Sequence, residues 1–209
     1  MIELVFVIVV IGILASVALP RIDDDKKQES MDNVLSDIRY TQQLALSGSK
    51  QMFDKEKWQQ RYWRIIFSSC NNNTEWFYMI GTDNNMTDST NAFFSKEEAA
   101  TDSANGKPMF YNCSGVNKTD VSKRIFLSDN YGIKSVATST KCDGNGGKYI
   151  GFDHMGRPHY GFSQSSEPDY ASYMTGECII TFTFTDDSTS KIHIAPETGH
   201  AYIDGQPNS

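Results

Sequence analysis

The run from Leu4 to Leu19, LVFVIVVIGILASVAL, most constrains this chain. Its sixteen apolar or small residues form about 24 Å of helix at about 1.5 Å per residue, a little short of the 30 Å or so of a bilayer's hydrocarbon core. With Met1 and Ile2 added, and some thinning of the bilayer, the segment reads as a spanning helix ending at Pro20 and Arg21. A cleaved secretion signal would instead show basic residues in front and a small-residue cleavage site behind, which Arg21-Ile22-Asp23 does not supply. Glu3 sits at the front of this run. A carboxylate there is costly to desolvate unless a cation or donor reaches it, and another subunit's terminal amine would serve.

The remainder is polar but able to form a core: with the sixteen apolar residues of Met1 to Leu19 set aside from the chain's 39%, about 66 of the other 190 positions, or about 35%, are still apolar. Acidic residues outnumber basic ones by 26 to 19, for a net charge of −7, and no long Lys/Arg stretch would track a phosphate backbone. There is thus no strong nucleic-acid signal.

MIELVFVIVVIGILASVALPRI resembles the amino-terminal signature of type IV pilins and type II secretion pseudopilins: an early glutamate at Glu3, small residues at Gly12, Ala15 and Ser16, then Pro20. The resemblance implies that Glu3 guides subunit registration and that Gly12 and Pro20 shape helix packing and a kink. It also implies cleavage by a prepilin peptidase, methylation of the new amino terminus, an inner-membrane assembly platform and homologous subunits as partners. The family carries a leader and two further residues, commonly Phe-Thr, before the position of Met1, so a trimmed or misassigned start is expected.

From Asp23 to Ser47 no glycine or proline occurs, and Met31, Leu35, Ile38 and Ala45, with Val34 and Leu44, recur at helical spacing. Pro20 and Asp23 to Asp25 suit a restarted amino end, and Gly48 a stop. Residues 1–22 then read as a transmembrane or filament-core helix, 23–48 as its amphipathic continuation, and 49–209 as a β-rich head with an irregular insertion over about 81–120. Within the head, Tyr62 to Phe67 and Trp76 to Ile80 read as a hairpin around Asn71 to Thr74. Lys123 to Leu127, Lys148 to Phe152, Lys191 to Ile194 and Ala201 to Ile203 read as further strands. Ile179 to Phe184 alternates with period two, Phe182 and Phe184 inward and the threonines outward. The expected fold is α+β: a long N-terminal hydrophobic helix, or stalk, packed against a mostly antiparallel β-sheet head.

The head adds a second resemblance. KYIGFDHMGRPHYG, followed by ECIITFTFTDDSTSKIHIAPETGHAYI, looks like the end of the H-type minor pseudopilin group, with Phe152-Asp153, Gly156-Arg157-Pro158 and Thr198-Gly199 matching. His154-Met155 stands where Pro-Leu is usual, and His200 where a basic residue is common. These residues read as strand and turn specification with no catalytic role.

Cys70, Cys113, Cys142 and Cys178 contain no CxxC pair, so disulfides suit them better than a redox or zinc motif. Three complete pairings exist; sequential pairing, Cys70 to Cys113 and Cys142 to Cys178, would staple the insertion and then the late sheet, in an extracytoplasmic compartment. His154, His159, His193 and His200 form no HExxH, and no GxSxG, P-loop or dinucleotide motif marks an enzyme. The family's major pseudopilins carry a calcium site in the head. Asp143-Gly144-Asn145-Gly146-Gly147 offers Asp143 and Asn145 as oxygen ligands, but without the later acidic ligand it reads as a turn. No other cofactor is expected. Asn85, with Asp83 two residues earlier and Thr87 two later, fits an extended bacterial glycosylation sequon.

The expected function is a structural subunit of a type IV pilus-like or type II secretion pseudopilus filament, acting in assembly or initiation. It would reside in the inner membrane before assembly, with a periplasmic head, and afterwards in a periplasmic or extracellular filament. The alternatives are a major or adhesive pilin binding a surface or DNA, and a membrane-anchored periplasmic enzyme.

Overall fold

The structure is a computed structural model that describes residues 2–52, 55–86, 93–143 and 148–206; within the first helix it describes the side chains of 4–13 and from 26 onward. That helix, α1, runs Ile2–Ser47 and stops where Gly48 follows. Its carboxyl-terminal half buries Met31, Val34, Leu35, Ile38 and Ala45 at spacings that keep them on one face, together with Ser30, Asp37 and Thr41.

The next element is the hairpin of β1 (Trp63–Cys70) and β2 (Glu75–Gly81). Asn71, Asn72 and Asn73 all take positive φ in its turn, a conformation asparagine tolerates better than most residues. After the insertion come α2 (Leu127–Tyr131), β3 (Ile133–Thr138), β4 (Lys148–Phe152), β5 (Pro158–His159), β6 (Cys178–Phe184), β7 (Thr189–Ile194) and β8 (Ala201–Ile203).

The strands form two four-stranded sheets, ordered β2-β1-β4-β5 and β3-β6-β7-β8, in which every strand pair is antiparallel. α1 contacts β1 and β4 of the first and β7 and β8 of the second. Phe67 of β1 meets Phe182 of β6 edge-on at 5.8 Å, joining the two sheets in one core. In β6 the side chains of Cys178, Ile180, Phe182 and Phe184 are buried and the threonines between them are partly exposed, as the period of two predicts. The insertion is less irregular than expected. Ala100 N donates to Ile80 O and Met109 O accepts from Ile80 N, so it covers the edge of β2, anchored by buried Phe94, Met109, Phe110 and Tyr111.

The expected stalk and single-sheet head are corrected on two counts. Among the described residues no helix is long and apolar enough to cross a membrane. The apolar stretch whose side chains are described is the ten residues Leu4–Ile13, about 15 Å of helix, half of what a span requires. The head, moreover, is built on two sheets that share no strand, β4 pairing with β1 and β5 in one and β6 with β3 and β7 in the other, and α1 lies against both. The strand expected at Lys123 to Leu127 is also absent. Lys123–Ile125 is a 3-10 turn leading into α2, which ends on Gly132 in the left-handed conformation, φ 65°.

Candidate functional site

The residues to which the sequence assigns assembly all lie on α1. The large apolar side chains from Leu4 to Ile13 are 51% to 67% exposed, a continuous greasy surface of a kind that soluble monomers rarely carry. Gly12 lies within it, and a Cβ added there meets nothing within 4 Å. Glu3 and Pro20 belong to the same helix, but their side chains lie outside the described residues.

The four cysteines pair sequentially, Cys70 with Cys113 and Cys142 with Cys178. The first bond ties the end of β1 to the insertion, and the second ties the segment after β3 to the start of β6. Asn85 is exposed, its backbone N–H donating to Glu98 Oε1 at 3.3 Å, whereas Asp83 of the same sequon is buried and Thr87 lies outside the described residues. Asp143 is exposed and Asn145 lies outside the described residues. Among the described residues no group of three or more His, Cys, Asp or Glu is placed to hold a metal ion.

A cleft of about 540 Å³ separates α1 from the insertion. At its base Asp37, on the buried face of the helix, accepts from Tyr78 Oη at 2.5 Å and pairs with Arg124 Nη2 at 3.1 Å. Arg124 reaches on to Asp102 at 3.7 Å, and Asp102 accepts from Ser122 Oγ, Ala104 N and Asn105 Nδ2. Two carboxyls on one arginine diverge in acidity because their surroundings differ. Burial pushes Asp37 up to about 6, against the pull of Tyr78 and Arg124. Burial also acts to raise Asp102, but its hydrogen bonds and Arg124 outweigh it and hold that carboxyl below its usual range.

Folded Asp37 keeps a proton that the unfolded chain releases near 3.8, so its stabilisation is complete below that pH and is lost as pH rises through about 6. Asp37→Asn keeps an acceptor for Tyr78 and cannot ionise. The variant is expected to flatten the loss of stability between pH 4 and 6, worth about 3 kcal/mol at most, as read by urea denaturation at a series of pH values. A slope equal to that of the parent protein would show that Asp37 does not titrate there.

The motif residues of the late head converge on α1 from the other side. Asp153, just after β4, accepts from the backbone of Met155 and Arg157, each at 2.9 Å, and from Arg157 Nε and Nη2, each at 2.7 Å. Burial alone would raise this carboxyl, but these bonds and His159 hold it well below its usual range. The turn brings Phe152 back against Pro158, which is the strand-and-turn role read from the sequence. Gln42 Nε2 donates to Gly156 O and Thr198 O, both at 2.8 Å, so one helix amide holds both glycine turns.

His159 stands between Asp153 and Ser172, its Nε2 3.4 Å from Asp153 Oδ2 and its Nδ1 2.9 Å from Ser172 Oγ. The residue types match a hydrolytic triad. Ser172 is buried, however, and its hydroxyl donates to Asp169 O at 2.7 Å, so the proton a base would remove is already committed and no reacting carbonyl can approach. The three residues serve as a pin for the turn at Asp169.

Comparison with protein-family models, with curated proteins and with solved structures gives no match to this chain. Sequence reasoning found the cysteines and the glycine turns but missed the Asp37–Tyr78–Arg124 network and the role of Gln42. Asp37 was discoverable, because it lies three residues after Val34 and four before Thr41 on the helix face that buries its neighbours.

Proposed function

We propose that this chain is a structural subunit of a filament of the type IV pilus or type II secretion pseudopilus kind, acting in filament assembly or initiation. The observation that carries the reading is the amino-terminal pattern of Glu3, the apolar run and Pro20, set on a helix whose large apolar side chains from Leu4 to Ile13 are exposed. Neighbouring copies would cover those turns, and the area removed from water would drive association at about 25 cal/mol per Å². The partners are homologous subunits and an inner-membrane assembly platform, after processing by a prepilin peptidase. The head works in an oxidising compartment, periplasmic or extracellular, a placement that its two disulfides support. No reaction is assigned to the head.

The test is Glu3→Ala in the native host. The substitution lies on a helix remote in sequence from the disulfides, so the head should still fold with both bonds formed. Incorporation into filaments, read by immunogold imaging and by subunit identification in sheared material, should fall severely. Normal incorporation at normal abundance would overturn the proposal.

A further inference from the structure

The head carries a second cleft, of about 270 Å³, with no role in the filament reading. Three turns distant in sequence build it: the 3-10 turn Trp58–Arg61, the turn from Asp153 to Arg157, and the 3-10 turn Tyr170–Ser172. Aromatic rings dominate its wall, with Trp58 edge-on to Tyr62 at 5.4 Å and Tyr173 under the Arg157 guanidinium at 5.6 Å.

The cleft is held rigid from beneath. Gln59 binds Asp169 with both ends of its amide, donating to Asp169 O at 3.0 Å and accepting from Asp169 N at 2.5 Å. Asp169 in turn accepts from Ala171 N and, through its carbonyl, from Ser172 Oγ, while His159 holds Ser172. The residue enclosed by these bonds is Tyr170, and its side chain points away from them: it is 81% exposed. A large aromatic held outward on a turn pinned at both ends, at the rim of a cleft, is the opposite of what burial would favour.

Charge narrows the class of ligand. The Asp153 carboxylate is neutralised by Arg157 at 2.7 Å, and among the described residues no unpaired carboxylate, lysine or arginine lines the cleft. A cation finds no net negative charge, and an anion meets a guanidinium already bridged to a carboxylate. What the cleft offers is an aromatic wall whose exposed ring is Tyr170, with the Tyr170 hydroxyl and the Gln51 amide beside it. The volume lies just below the 300–1,000 Å³ or so typical of drug-sized ligands, which limits the occupant to a single small ring. A sugar ring meets these conditions together: its C–H face packs on an aromatic, its hydroxyls take part in neutral hydrogen bonds, and it carries no charge.

We propose that this cleft binds one neutral monosaccharide unit, free or at the end of a glycan, packed on Tyr170. The site belongs to the head alone and stands whether or not the chain polymerises.

The test uses the full chain in a polyoxyethylene detergent, which carries neither sugar nor choline. Saturation-transfer NMR is recorded with glucose, galactose, mannose and N-acetylglucosamine, and with choline and inorganic phosphate as charged comparators. At least one sugar should receive saturation from the protein. Tyr170→Ala removes an exposed ring with no packing role, so folding should be retained while the dissociation constant rises about tenfold or more. Tyr170→Phe should keep most of the affinity, and Tyr202→Ala, which removes a ring stacked on His193 in the other sheet, should leave it unchanged. Transfer to none of the sugars, binding of choline or phosphate in their place, or unaltered sugar binding by Tyr170→Ala would each overturn the proposal.

Discussion

Replacing Cys142 and Cys178 together by serine should lower the free energy of unfolding by about 4 kcal/mol, the loop-closure entropy expected for a bond across a sequence separation of 36. Both residues are fully buried, so two hydroxyls enter an apolar core at the start of β6 and add to the loss. For a head of this size the melting temperature should drop by roughly 10 °C or more. Thermal melts of the double variant and of the parent protein, each with and without reductant, make the check. Reduction should bring the parent down towards the variant, while the variant itself should respond only through Cys70–Cys113. A double variant as stable as the parent would mean that this bond closes no loop that matters to folding.

Gly199→Ala should cost about as much, about 4 kcal/mol, for a different reason. Gly199 has a φ of 67°, where an L side chain is strained, and a Cβ there would lie 2.5 Å from Gly156 O and 2.6 Å from Gln42 Nε2. Relief requires the Gln42 amide to withdraw, breaking its bonds to both turns and loosening β8 from α1. Gly205→Ala is the matched control. Its φ is 78°, but a Cβ meets nothing within 4 Å, so only the backbone penalty of about 1 kcal/mol remains. Urea denaturation of the two variants should separate them by several kcal/mol; equal losses would remove the glycine contact from the account of the fold.

Much of this architecture can be read from residues. The asparagine run after Cys70 announces a turn whose φ values few other residues accept, and the alternation from Ile179 to Phe184 announces a half-buried strand. The spacing of Met31, Val34, Leu35, Ile38 and Ala45 marks the face of α1 that meets the sheets. Other parts were not legible, for physical reasons. Ile125, Phe126 and Leu127 form a short apolar run that suits strand and helix equally, and Gly132, which caps α2, decides the matter from outside it. β3 was missed because its register shifts between Ile133 and Ser135, so its apolar residues depart from strict alternation. Both clefts depend on groups brought together across long stretches of chain. Asp37 and Arg124, like Gln59 and Asp169, are far apart in sequence and become neighbours only in the folded head.

The way α1 is fastened has a mechanical meaning. From Lys27 to Gln42 it is bonded to Asp186, Arg124, Tyr78, Ala201, Thr101, Gly156 and Thr198, so its attachments are spread over four turns and reach both sheets and the insertion. A pull along the helix axis loads these bonds in shear and in parallel. They must fail nearly together, whereas bonds peeled from one end fail in succession. A head fastened in this manner transmits tension from its amino-terminal helix into both disulfide-closed halves before any single attachment yields.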